Sequence, residues 1–358
     1  GGLPVTRIRK IYLAKPVPTW PKPDLDVPAE IRRIDQQLAA LASKMPGIQL
    51  EGGELYRTPQ EVPSAREALG NPDGLLLFNL TSTLSAHIER LAGTGLPAVL
   101  YSQPYSGHDW SAIPEMRSKG HRIICLSTSD FNEIPAACRL IRTGHLMGKT
   151  RVLYVNRSPF DARSAGRVRE RLGPEVLHIT PEQVNAAYQA VDEAAARKDA
   201  REWIAGAVRV VEPSEQDIMS SSRLYLALRR LMEQERAQAV TINCLGLFAQ
   251  KQLPAYPCLA FCRMNDLGLV GVCEGDMDST LTQLLFTYAF GVPGFVSDPV
   301  IDASNNTVIH AHCVSATRMD GPSGARAPYI IRSHMEDNKG ASLQVKMRTG
   351  QVITMAKL

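Results

Sequence analysis

The sequence predicts an α/β protein: two doubly wound parallel-sheet domains followed by a β-barrel domain that the chain leaves incomplete. Three observations carry this expectation. Strand and helix signals alternate as far as residue 290, the rhythm of crossover-connected parallel strands. Several strand candidates, such as Gly-Leu-Leu-Leu-Phe-Asn-Leu at 74–80, are continuous apolar runs, as expected of strands covered on both faces. After Gly294 the helical periodicity stops, and short alternating segments separated by turn residues take over.

Taken in order, residues 8–14 read as a strand and 28–45 as an amphipathic helix with Ile31, Ile34, Leu38 and Leu41 on one face. The Pro-rich stretch 16–28 between them is too stiff to be helical. Strands follow at 74–80, 97–102 and 121–127, with a helix at 83–92, and the first domain spans 1–147. The second domain, 148–294, opens with strand 151–156, helix 161–172 and strand 175–179, and Thr180-Pro181-Glu182 reads as a helix start. A long helix at 214–234, strand 239–244, helix 257–266 closed by Gly268, strand 269–273 and helix 277–290 complete it. The third domain, 295–358, holds strand candidates at 295–301, 307–312, 329–334, 342–347 and 351–357.

Composition removes whole classes of function. The 358 residues are 44% apolar and 21% charged, which excludes wholesale disorder. A net charge of +4 with mixed signs offers neither a basic stripe for nucleic acid nor a polybasic membrane anchor. No apolar run reaches the roughly 18–20 residues of a membrane span. Seven cysteines, an odd number without CxxC pairs, argue against a disulfide scaffold or zinc ribbon and point to reduced thiols in the cytoplasm. Cys244, Cys258, Cys262 and Cys273 read as buried, inert thiols. The chain opens on Gly1-Gly2 without Met, as if processed, and its alternating 351–357 segment leads to the expectation that it stops inside a domain.

The densest polar segment is Cys273-Glu274-Gly275-Asp276-Met277-Asp278, between a strand end and a helix start, where open α/β sheets place ligands. Asp276 and Asp278 suit helix capping; Glu274 has no such role. Asp298 follows one helix and a Gly-Val-Pro-Gly turn, which can return it to the same sheet end. His310 and His312 lie on one face of a strand, and His334 is a third candidate imidazole; His312 is the preferred ligand. Glu274, Asp298 and His312 together make an oxygen–nitrogen set for Mn²⁺ or Mg²⁺. The loop at 102–110 brings His108, Asp109 and Trp110 together as a sugar-binding surface. Phosphate-loop, dinucleotide and nucleophile-elbow patterns are not met, so a nucleotide-dependent oxidoreductase rests on architecture alone.

The segment Pro257-Cys-Leu-Ala-Phe-Cys-Arg-Met-Asn-Asp-Leu-Gly-Leu-Val-Gly-Val-Cys-Glu274-Gly-Asp276 resembles the L-fucose isomerase and L-arabinose isomerase superfamily, as do Phe295–Asp298 and the strand around His310 and His312. The resemblance covers roughly 240–345. It implies two α/β domains and a β-barrel domain, Mn²⁺-dependent aldose–ketose isomerisation through an enediol, and Glu274 as metal ligand. It further implies catalytic work by Glu274 and Asp298, and a homo-oligomer, trimer or hexamer, whose sites borrow residues from a neighbour's first domain. Asp298 matches the fucose-type acid and His312 the arabinose-type histidine, while the family's last histidine ligand falls beyond residue 358. The alternative reading is a catalytically silent carbohydrate-binding or scaffold protein on the same fold.

Overall fold

The computed structural model describes residues 3–358, and the chain divides into two compact units, Gly1–Leu146 and Met147–Leu358. Both are mixed α/β and each is organised by a parallel sheet.

The first unit contains β1 (Thr6–Leu13), β2 (Ile48–Tyr56), β3 (Gly74–Asn79), β4 (Ala98–Ser102) and β5 (Ile123–Ser127), all parallel in the order β2-β1-β3-β4-β5. Alternate side chains face opposite sides of the sheet, and both sides are covered. Ile8, Tyr12, Leu76, Phe78, Val99 and Tyr101 pack with Ile34 and Leu38 of helix Val27–Ala40 and with Ile134 and Ile141. Ile11, Leu13, Leu75, Leu77 and Leu100 pack on the other side against Leu84, Ile88, Leu91 and Met116. The reversal between β1 and β3 opens the usual ligand crevice at their carboxyl ends.

The sequence reading did not include β2. This edge strand carries Glu51-Gly52-Gly53-Glu54 in its middle, and its pairing slips by one residue between Lys10 and Ile11 of β1. Gly52 and Gly53 take positive φ values of 78° and 129° to make that bulge, so neither apolar alternation nor β propensity marks the strand.

The second unit holds β6 (Arg151–Val155), β7 (Glu175–Ile179), β8 (Arg209–Val210), β9 (Ala239–Ile242), β10 (Val270–Val272), β11 (Asp298–Asp302), β12 (Thr307–Ala311), β13 (Tyr329–His334) and β14 (Lys339–Val345). Four of them form a parallel sheet, β10-β9-β6-β7. Capping explains where the helices begin. Thr180 with Gln183 and Ser214 with Asp217 form reciprocal capping boxes for helices Pro181–Gln189 and Glu215–Glu235.

Beyond residue 294 the chain builds the antiparallel hairpin β11–β12 and a second hairpin, β13–β14, which β8 extends by parallel pairing with β13. Val314, Tyr329, Ile331, Ala341 and Leu343 from this region enter the same core as Trp203, Leu228 and Val240. The expected strand at 351–357 does not form. Its alternation finds no backbone partner; Lys357 instead reaches Asp276 at 3.1 Å, and the Leu358 N–H donates to Thr282 Oγ1 at 3.1 Å. No helix among the described residues is long and apolar enough to cross a membrane.

Candidate functional site

In the second sheet the crossing direction reverses between β6 and β9, and the loop after β10 lies at the same carboxyl edge. Gly275 N–H donates to Ile242 O at 2.8 Å, which ties this loop to the end of β9. Glu274 takes a left-handed backbone with φ of 67°, an arrangement that disfavours any residue with a Cβ and so marks a built conformation. Asp276 caps helix Met277–Phe290, accepting from Ser279 N at 3.0 Å and Ser279 Oγ at 2.6 Å, the role its sequence position suggests. Asp278 occupies the first turn of that helix.

Hairpin register supplies the other two groups. Asp298 is the first residue of β11 and pairs with Ala311, the last of β12, so His312 emerges beside it. Ligand atoms of Glu274, Asp298 and His312 all lie within 4.8 Å of one another. His312 Nε2 is 3.9 Å from Glu274 Oε1 and 4.0 Å from Asp298 Oδ2. The imidazole is 5% exposed, whereas Glu274 and Asp298 are 42% and 69% exposed, so the group opens to solvent on its acidic side.

Charge at this site is partly balanced by His312 and, on the side of Asp298 and Asp276, by Lys357. Partial burial and the neighbouring Asp298 push the Glu274 carboxyl above its ordinary pKa, and His312 offsets only part of that. For His312 burial opposes the charged form, but Cys313, Asp298 and Glu274 outweigh it and hold the imidazole above its usual value. The Val314 N–H donates to His312 Nδ1 at 3.3 Å, so the neutral ring carries its proton on Nε2, between the two carboxylates. A cation can take the place of that proton. With His312 Nε2 3.9 and 4.0 Å from the two carboxylates, the three side chains form a group able to hold a metal ion.

Not every candidate joins the group. His310 accepts from or donates to Ser297 Oγ at 2.8 Å. His334 Nδ1 contacts Asp337 Oδ1 at 3.3 Å, and its other neighbour is Cys313, which helps raise its pKa to about 9.

A second group stands directly behind His312. The thiols of Cys258, at the start of helix Cys258–Asp266, of Cys273 after β10, and of Cys313 after β12 lie within 4.8 Å of one another. Cys273 and Cys313 sulfurs are 3.9 Å apart, and Cys313 Sγ is also 3.9 Å from His312 Nδ1. Hydrogen bonds from Cys258 and Cys273, joined by His312 and His334, favour the thiolate at Cys313 strongly, while Cys258 and Cys273 are pushed up. Cys258 and Cys273 are buried, as the sequence suggests, and they converge with Cys313.

Asp266 fixes this arrangement from below. Only 1% exposed, it accepts from Thr317 N at 2.6 Å, Thr317 Oγ1 at 2.5 Å and Arg318 N at 2.8 Å, with Arg326 Nη1 3.6 Å away. That clamp holds the segment carrying Cys313 against the helix carrying Cys258. Its sequence signal, a carboxylate closing an apolar helix just before Leu-Gly, is indistinguishable from an exposed C-terminal acid.

In the first unit, the 102–110 loop also lies at the carboxyl edge of its sheet. Asp109 is 4% exposed and fully engaged: it accepts from Leu84 N at 2.8 Å, Ser85 Oγ at 3.1 Å and Asn79 Nδ2 at 3.3 Å. Its carboxylate shapes the loop and does not face outward. His108 and Trp110 do: the imidazole lies 5.2 Å from the Trp20 ring and 6.5 Å from Trp110, and both indoles are exposed. Trp20, from the Pro-rich loop, is the member that sequence reasoning passed over.

No protein-family model matches the chain, and no curated protein matches it in sequence.

Proposed function

We propose that the protein is a metal-dependent aldose–ketose isomerase acting through an enediol, with Glu274, Asp298 and His312 as ligands of Mn²⁺ or Mg²⁺. The observation that supports this reading is the convergence of these three side chains at the carboxyl end of a parallel sheet, with two carboxylates flanking one imidazole. On the same reading, both sheets are doubly wound, residues 295–358 belong to a barrel-type domain, and the working form is a cytoplasmic homo-oligomer.

Isomerisation moves one hydrogen from the hydroxyl-bearing carbon to the neighbouring carbonyl carbon, and one proton from the hydroxyl oxygen to the former carbonyl oxygen. A divalent ion, when bound, supplies a Lewis acid that stabilises the developing enediolate. Glu274 takes the carbon-bound proton and returns it to the adjacent carbon. Asp298, on the exposed side, keeps the site negative enough to hold a cation. His312, buried and backed by Cys313 and Val314, fixes the third direction. The Trp20–His108–Trp110 surface has the stacking faces and polar edge that grip a sugar.

The test is incubation of the chain and Mn²⁺ with a panel of aldoses and ketoses in D₂O. Isomerisation with deuterium entering next to the carbonyl is the expected result. Sugar binding without turnover by any member of the panel would replace the enzyme reading with the silent carbohydrate-binding one.

A further inference from the structure

We propose that Cys258, Cys273 and Cys313 form a second metal site, taking one Zn²⁺ as a thiolate complex immediately behind the carboxylate–imidazole group. This goes beyond the isomerase reading and does not depend on it.

The geometry favours a single ion. Zn–S bonds of about 2.3 Å in a tetrahedron place sulfurs about 3.8 Å apart. The Cys273 and Cys313 sulfurs stand at 3.9 Å, and all three ligand atoms fall within 4.8 Å. In iron–sulfur clusters the cysteines are spread over several irons, so their sulfurs lie farther apart than this. Soft thiolates also select against Mg²⁺ and Mn²⁺, which prefer oxygen. The two groups therefore sort ions by chemistry despite sharing the dipeptide His312-Cys313.

Three separated segments deliver the thiols: a helix start, a strand exit and a hairpin exit. Three unrelated core thiols have no reason to meet at this distance, whereas Asp266 clamps the hairpin exit in place through Thr317 and Arg318. The chain also supplies neighbours for a fourth position. The buried Cys244 thiol neighbours Cys273, and the His334 imidazole neighbours Cys313. His334 has its Nδ1 on Asp337 Oδ1, the carboxylate–imidazole pairing that commonly backs a zinc ligand. Cys313 is only partly buried.

The experiment titrates the reduced, metal-free chain with Co²⁺ as a spectroscopic stand-in for Zn²⁺. One equivalent should produce thiolate-to-cobalt charge-transfer absorption and the intense visible bands of tetrahedral Co²⁺, both abolished by one equivalent of Zn²⁺. Cys313→Ser should remove the charge-transfer band at unchanged far-ultraviolet circular dichroism, whereas Glu274→Gln and Asp298→Asn should keep it. Should Cys313→Ser fail to fold, the unaltered chain still decides: bound Zn²⁺ must withdraw three thiols from reaction with a disulfide reagent. Co²⁺ binding without charge transfer, a band that survives in folded Cys313→Ser, or thiols left unprotected by Zn²⁺ would each overturn the site. Loss of Mn²⁺ binding with the cobalt band intact would overturn the isomerase reading alone.

Discussion

Asp109 and Glu274 occupy corresponding places, each just past a strand at the carboxyl edge of its unit's parallel sheet, yet the protein treats them oppositely. Asp109 is buried and accepts three hydrogen bonds from its own unit. Glu274 is half exposed, sits in a left-handed backbone and faces the carboxylate of Asp298 and the imidazole of His312, 3.9 Å away. What separates them is the supply of donors: Asp109 is ringed by N–H and O–H groups and Glu274 is not. An acid surrounded by N–H and O–H groups is part of the scaffold. An acid facing another acid across an imidazole is instead placed where a cation can be held, and that contrast locates the candidate site better than residue type or loop position does.

The contrast sets measurable expectations. Glu274→Gln should lower isomerase turnover by about 10²–10⁴-fold, the usual worth of a positioned acid–base group. Its stability should be unchanged or higher. The folded-state pKa of Glu274 is raised, so its charged form costs stability as pH rises through the ordinary value of 4.5 toward the folded one, and the amide removes that cost. A marked fall in melting temperature would make Glu274 a scaffold residue like Asp109.

Asp109→Ala should do the reverse, destabilising the first unit by about 2–4 kcal/mol because buried donors lose their acceptor. Hydrogen exchange should show faster opening around Leu84 and Ser85 with the second unit unchanged. Milder still, His108→Ala should weaken sugar binding by about 0.5–1.5 kcal/mol, the increment of one ring contact, with kcat unaffected. Calorimetric titration reads this directly, and an unaltered Kd would mean that the 108–110 surface does not hold sugar.

The smallest effect lies away from both sheet edges. Glu212, just past β8, accepts from Arg332 Nε at 2.8 and 2.9 Å and from Arg332 Nη2 at 2.6 Å, and its pKa falls from 4.5 to about 2. A depressed acid contributes stability above its unfolded pKa and loses it as pH falls through the folded value. The urea midpoint of Glu212→Gln should therefore lie slightly below that of the parent at neutral pH and converge with it near pH 2. A constant gap would mean that the pair contributes through packing alone.

Much of the carboxylate site was legible in the sequence because each member has a local signature. Glu274 follows a short apolar strand and precedes a capping Asp, and Asp298 and His312 bracket a hairpin whose register is short enough to infer. The thiol group was not legible. Its members lie 15 and 40 residues apart, on elements whose apolar context reads correctly as core, and only the fold reveals that three core positions coincide. Asp109 misled for a related reason: its loop is polar and aromatic, but whether a loop carboxylate points inward depends on Asn79 and Ser85, residues of other elements. The strand expected at 351–357 failed because alternation specifies a face, not a partner.

Finally, the ligand set is divided between unequal supports. Glu274 hangs from a sheet edge tied to β9, while Asp298 and His312 sit at the open ends of β11–β12, a ribbon of two strands whose residues are mostly exposed, Ile301 and Val308 among them. A two-stranded ribbon is marginal by itself in water. An ion bridging Glu274 to that ribbon would act as a peg, fastening a loosely held flap to the body. Amide protection appearing at 298–311 only when the divalent ion is present would therefore report ion capture, even before any sugar has been identified.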